Sequence, residues 1–117
     1  MKADEYQNEA RRTLIGEPAR KYTGDEIMQV WNAMGLAGEA GEVANLVKKG
    51  VFHEHGIDFA KLKEELGDVL WYVGAIASQN GWTLSEVMQG NVDKLRKRFP
   101  NGWDTEDSRK RVDVVKK

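Results

Sequence analysis

The stretch Met34–Val47, MGLAGEAGEVANLV, sets the terms for the whole chain. It places Glu39 and Glu42 three residues apart in a run dominated by Gly, Ala, Leu and Val. On a helix at about 100° per residue the two acids fall roughly 60° from each other. Met28, Leu36, Val43 and Leu46 fall on the same side, so the acids belong to the apolar stripe. A carboxylate in that position loses hydration, which is costly unless a positive charge compensates it. The arrangement returns on the next apolar segment, EELGDVLWYV, where Glu65 and Asp68 repeat the spacing beside Leu62, Val69, Tyr72, Val73 and Ile76. Glu64 points further round and reads as a solvated neighbour.

One such acid pair is ordinarily a wet surface feature. Two pairs at apolar faces of successive helices read differently, because antiparallel neighbours bring all four carboxylates together. Four carboxylates at close quarters cannot all stay ionised without a neutralising charge. Hard oxygen donors on a rigid bundle suit Mg²⁺ or Mn²⁺, and all-acid Mg²⁺ sites usually share the ion with substrate phosphates. A di-iron bundle would need Glu-x-x-His on the helices. Both histidines, His53 and His55, lie instead in the connection VFHEHGI.

Helical periodicity covers most of the chain. A first helix is expected from Ala3 to about Ile15, closed by Gly16 and Pro18. A second runs from about Asp25, its N-cap, to Lys49, with Gly50 as the residue past its end. Gly35, Gly38 and Gly41, with Ala33, Ala37, Ala40 and Ala44, make that helix thin-sided and predict a closely packed partner. A third runs from about Phe59 to Gln79, capped by Asp58 and ended by Gly81. A fourth opens with a capping box, Thr83 to Glu86. It continues through Leu84, Val87, Met88, Asn91, Val92, Leu95 and Phe99 and stops at Pro100. No stretch alternates as a strand would. The fold class is therefore all-α: an antiparallel bundle of about four to five helices over residues 1–100, with a charged tail at 101–117. So small a bundle is expected to complete its core by oligomerising, as a homodimer or tetramer.

Composition narrows the function. There are 18 Lys+Arg against 19 Asp+Glu, so no basic excess suggests polymeric nucleic acid as a partner. No cysteine is present, which excludes disulfides and thiolate metal sites. No apolar run approaches the ~20 residues of a membrane span. The N-terminus lacks the apolar core of a signal peptide, so a cytoplasmic location is expected.

The cationic counterpart to the acids lies on the fourth helix. Asn91 sits within its apolar stripe, where a polar group needs a partner, and Lys94 and Arg98 follow at i+3 and i+7. Lys48 and Lys49 also stand within reach of an entering phosphate, although complementing a helix C-terminus explains them equally. Trp31, two turns before Glu39 on the same side, reads as a surface for stacking a base or as a core residue. Trp71 points away from the main stripe, toward a subunit interface.

Glu39-Ala-Gly-Glu42, a gap of 22 residues, then Glu65-Leu-Gly-Asp68 resembles the paired-acid signature of the MazG-like all-α nucleoside triphosphate pyrophosphohydrolases. GLAGEAGEVANLVKKG, KLKEELGDVLWYV, NVDKLRKRFPNGW and the opening EYQNEARRT extend the likeness from Tyr6 to about Trp103, in a compact single-domain branch. The resemblance implies Mg²⁺-dependent hydrolysis of an NTP or dNTP to the monophosphate and pyrophosphate, in nucleotide-pool housecleaning. It implies Glu39, Glu42, Glu65 and Asp68 as metal-binding and catalytic acids, one of the glutamates acting as base. It places Asn91 and Lys94 on the substrate phosphates, with Arg98 beside them. Two rivals stand next to this reading: a helical dimerisation or regulatory module without turnover, and a phosphoribosyl-ATP-type pyrophosphohydrolase.

Overall fold

The structure, a computed structural model, describes residues 1–14, 16–53 and 56–114. Five helices follow one another: α1 (Ala3–Arg11), α2 (Gly24–Phe52), α3 (Phe59–Gln79), α4 (Leu84–Arg98) and α5 (Thr105–Lys110). Among the described residues the β structure amounts to an isolated bridge between Pro100 and Gly102. The expected all-α class is what the chain adopts.

Local chemistry explains the helix ends, including those that differ from expectation. Thr23, not Asp25, caps α2. Its Oγ1 accepts from the Glu26 backbone N–H at 3.1 Å, and the Glu26 carboxylate accepts from the Thr23 N–H at 3.1 Å. Arg20 then grips Glu26 through two hydrogen bonds of 2.9 and 2.7 Å. That grip and the Thr23 N–H lower the Glu26 pKa to about 2. At its other end α2 runs through Gly50 to Phe52 rather than stopping before Gly50. The Gly50 carbonyl accepts from the Gly56 N–H at 3.0 Å, and a side chain at Gly50 would stand 2.8 Å from Ile57 Cγ1. Gly50 thus serves close approach of the returning chain, and the positive φ of 74° falls on Gly56 instead. Asp58 caps α3, and Thr83 with Glu86 forms the expected box at α4. α1 closes early at Arg11, where the bonds tighten to Arg12 N–H on Glu9 O and Thr13 N–H on Ala10 O, both 3.2 Å. Ile15, its expected end, lies outside the described residues.

α2 and α3 form an antiparallel hairpin, the main packing of the chain. At one end Gln79 donates to the Asp25 carbonyl at 3.0 Å, and Gln29 and Asn80 exchange hydrogen bonds of 2.8 and 3.2 Å. In the middle Gly35 meets the Tyr72 ring, and at the other end Gly50 meets Ile57. The thin side predicted for α2 is used at Gly35, where an added Cβ would lie 2.3 Å from Tyr72 Cε1. At Gly38 and Gly41 an added Cβ meets nothing within 4 Å, so that part of the thin side has no neighbour among the described residues. Gly35→Ala is therefore expected to destabilise the protein by about 1–3 kcal/mol through overpacking, despite the better helix propensity of alanine. Thermal unfolding of the variant, with and without Tyr72→Leu to relieve the contact, measures this.

α4 packs on α3, and α5 on α4; among the described residues α1 packs on none of the other helices, nor α4 on α2. The result is an open bundle. Its radius of gyration is 20.3 Å, against about 13 Å for a compact chain of this length. Its accessible surface is 10195 Å², against about 6,400 Å² for a compact monomer of this mass. Among the described residues Ala77 is the buried hydrophobic one, while Trp31, Met34 and Trp71 are each two-thirds exposed or more. No described helix is long and apolar enough to cross a membrane.

Candidate functional site

The hairpin register decides which acids meet. Gly35 against Tyr72 brings the next turn of α2 opposite the preceding turn of α3, and Glu39 faces Glu65 and Asp68. Oxygens of Glu39, Glu65 and Asp68 lie within 4.8 Å of one another. Glu39 and Glu65 are half-buried and Asp68 is exposed at the mouth. Burial, then the charges of Asp68 and Glu65, then a hydrogen bond with Glu65 raise the Glu39 pKa above the usual 4.5. The more distant charge of Glu42 adds to this.

This donor set fits a divalent cation. An octahedral Mg²⁺ holds its oxygens at 2.0–2.1 Å, so its ligands stand roughly 3–4.2 Å apart. The 4.8 Å within which the three carboxylates already lie is close to that spacing. The mutual repulsion that raises the Glu39 pKa is what such an ion would relieve. The set is all oxygen. His53 serves as the C-cap residue of α2, and His55 lies outside the described residues.

Glu42 is not in the triad. It is exposed, one turn further along α2, and lines a separate small cavity of about 170 Å³ with Asn45, Leu46, Lys49, Lys61 and Glu65. Lys61 Nζ stands 3.6 Å from Glu65 Oε1. Lys48 and Lys49 are both exposed, and of the two it is Lys49 that lines this cavity. Trp31 is exposed and forms, with Met34, Gly35 and Tyr72, a hollow of about 400 Å³ one turn before Glu39. Asn91 and Lys94 are exposed on α4. Arg98 donates to Asp113 from Nε at 2.5 Å and from Nη2 at 2.7 Å, which ties the segment after α5 to the end of α4. That pairing raises the Arg98 pKa and lowers that of Asp113. Arg98 would have to release this carboxylate to reach a phosphate.

Sequence reasoning missed Asn45 and Lys61, and named Lys49 with Lys48 as a cation within reach of a phosphate. The spacing from Lys61 to Glu65 was a usable signal, since residues four apart on a helix are neighbours.

A relative with an uninformative name, the Gene 37 protein of Mycobacterium phage L5, is 41% identical over 106 residues, covering 87% of this chain and 92% of that protein. No solved structure matches the chain at a significant level. The MazG nucleotide pyrophosphohydrolase domain matches residues 29–103, a span that takes in α2 from Gln29 onward, with Glu39 and Glu42, and the whole of α3 and α4. A match over more than half of the chain, centred on the helices that bring the carboxylates together, makes this protein a member of the MazG nucleotide pyrophosphohydrolase domain family.

Proposed function

We propose that the protein hydrolyses a nucleoside triphosphate or deoxynucleoside triphosphate to the monophosphate and pyrophosphate, with Mg²⁺ (or Mn²⁺) bound by Glu39, Glu65 and Asp68. The observation that carries this reading is the convergence of those three carboxylates at the centre of the α2–α3 hairpin. When bound, the cation would polarise phosphoryl oxygens and neutralise charge developing on them. The chain's own residues do the rest. Glu42, close to the triad but outside it, accepts the proton of a water whose oxygen attacks the α-phosphorus. The bond from that phosphorus to the bridging oxygen breaks, and pyrophosphate leaves with the bonding pair. The hollow at Trp31 and Tyr72, one turn from Glu39, offers an aromatic face to the base.

Asn91 and Lys94 are proposed as phosphate contacts. Because α4 does not pack on α2 among the described residues, they would meet the phosphates across a homodimer interface. The open bundle supports such a dimer, since it exposes about 3,800 Å² more than a compact monomer of its mass. A dimer of such dimers would be consistent with the same surfaces, and the activity would serve nucleotide-pool housecleaning.

The test is pyrophosphate release from a panel of NTPs and dNTPs with Mg²⁺. Release from at least one nucleotide, abolished by EDTA and restored by Mg²⁺ or Mn²⁺, is the expected result. Absence of release from every nucleotide would leave the non-catalytic module as the better reading.

A further inference from the structure

The chain after α5 turns back onto α4 and sets one carboxylate against two of its cations. Arg98, the last residue of α4, donates to both carboxylate oxygens of Asp113, at 2.5 Å from Nε and 2.7 Å from Nη2. The Lys94 ammonium, one turn earlier on the same helix, adds its positive field to that carboxylate and helps to hold its pKa down. The Asp113 side chain is 1% exposed and that of Arg98 18%, which makes this the most buried ion pair among the described residues. The turn that delivers Asp113 is strained. Arg111 lies at φ 47° and ψ 52°, the left-handed region that a β-carbon disfavours, and the Val114 N–H closes the turn on the Arg111 carbonyl at 3.0 Å. Away from the ion pair the segment is lightly held: α5 spans six residues, and Val112 and Val114 are exposed. Backbone strain persists where a stronger contact over-determines it, and here that contact is the bidentate pair.

A guanidinium fork with an ammonium one turn away is also an arrangement that phosphate oxygens accept from. Asp113 fills it with the chain's own anion. Substrate and Asp113 therefore compete for the same face of α4. A carboxylate brings one negative charge, whereas a triphosphate brings several and is anchored at its other end by the cation. We propose that residues 112–114 form a strap in which Asp113 stands in for a phosphate. The strap is closed on Arg98 and Lys94 in the free protein, and the triphosphate displaces it. Its return after turnover helps to expel pyrophosphate. The inference rests on the pyrophosphohydrolase reading and adds to it a self-occupied state that substrate releases. A clamp that merely keeps α5 on α4 would stay closed with substrate bound.

The chain has no cysteine, so Val114→Cys gives a single attachment point for a nitroxide on the exposed side of the strap. Electron paramagnetic resonance of the labelled full chain is expected to show an immobile label that becomes mobile when tripolyphosphate and Mg²⁺ are added. With Asp113→Asn added, the label is expected to be mobile from the outset. Tripolyphosphate affinity in Mg²⁺, measured by calorimetry, is expected to rise about tenfold in Asp113→Asn, as for a binding-competent state populated about one-tenth of the time in the parent. Glu106→Gln, which breaks the exposed Lys110–Glu106 pair of α5, should change neither reading. A label that is mobile in the free protein, or that stays immobile at saturating tripolyphosphate, overturns the strap, and this measurement stands whether or not Asp113→Asn folds. An Asp113→Asn protein that melts like the parent and binds tripolyphosphate no more tightly overturns it as well. Pyrophosphate release by a parent whose label never mobilises removes the strap and leaves the functional reading standing. A parent that neither binds tripolyphosphate nor releases pyrophosphate overturns both.

Discussion

Glu39→Gln is expected to lower kcat/KM by about 10²–10³-fold or more, and at the same time to make the metal-free protein more stable at neutral pH. The two effects share one cause. Glu39 is half-buried and faces Asp68 and Glu65, so its charge is penalised in the folded state, and its pKa lies above the usual 4.5. Folded protein therefore holds this proton more tightly than unfolded protein does. Its contribution to stability is fully present below the unfolded value and is lost as pH rises through the folded value. In EDTA, the parent should lose stability as pH rises through the interval above 4.5, and Glu39→Gln should lose less. Adding Mn²⁺ or Mg²⁺ at neutral pH should raise the melting temperature of the parent by mass action and leave that of Glu39→Gln nearly unmoved. Activity equal to the parent in Glu39→Gln would refute the assignment, whatever the stability result.

Much of the hairpin was legible because its signals are local. Asp58 before a periodic run and Thr83-x-x-Glu86 are capping chemistries contained within four residues, and both hold in the structure. At the start of α2 two caps competed: Asp25 was the more conspicuous acid, but Glu26 closes a box with Thr23 and is reinforced by Arg20 six residues earlier. Gly50 was misread because a glycine near a helix end suggests a left-handed stop, whereas its role depends on Ile57 returning across it.

The site shows the same division. The 60° between Glu39 and Glu42 looks like one face on a wheel. Across a helix pair it separates a residue that meets α3 at the triad from one that opens onto the neighbouring cavity. Likewise Lys49 lines that cavity and its neighbour Lys48 does not, though both are exposed. These distinctions depend on the register of α2 against α3, which Gly35 and Tyr72 set over a separation too long for a periodicity argument to reach. The stripe of α4 was also read correctly as apolar, but nothing in its spacing says whether its cover comes from the same chain.

That question carries the second large prediction. Val30→Glu on α2 and Val92→Glu on α4 are each expected to convert the protein from a dimer or larger species to a 13.2 kDa monomer in sedimentation equilibrium at micromolar concentration. Val30 lines a groove of about 530 Å³ with Tyr22, Ile27, Trp31 and Met34, and its side chain is more than half exposed. Val92 lies in the α4 stripe with Leu84, Val87, Met88 and Leu95, all exposed in the single chain. Exposed apolar faces of this kind drive association, and burying even half of the ~3,800 Å² excess on each of two chains would make an interface of obligate size. A carboxylate placed at the centre of such a surface costs about 3 kcal/mol, more than a hundredfold in the association constant. The chain buries so little on its own that its stability should fall with its association, and melting temperature should depend on protein concentration in the parent but not in the variants. Loss of activity should accompany dissociation if Asn91 and Lys94 reach the phosphates from a second copy. A parent that sediments at 13.2 kDa while fully active would mean that α4 closes over α2 within one chain, and that the open bundle is not the working form.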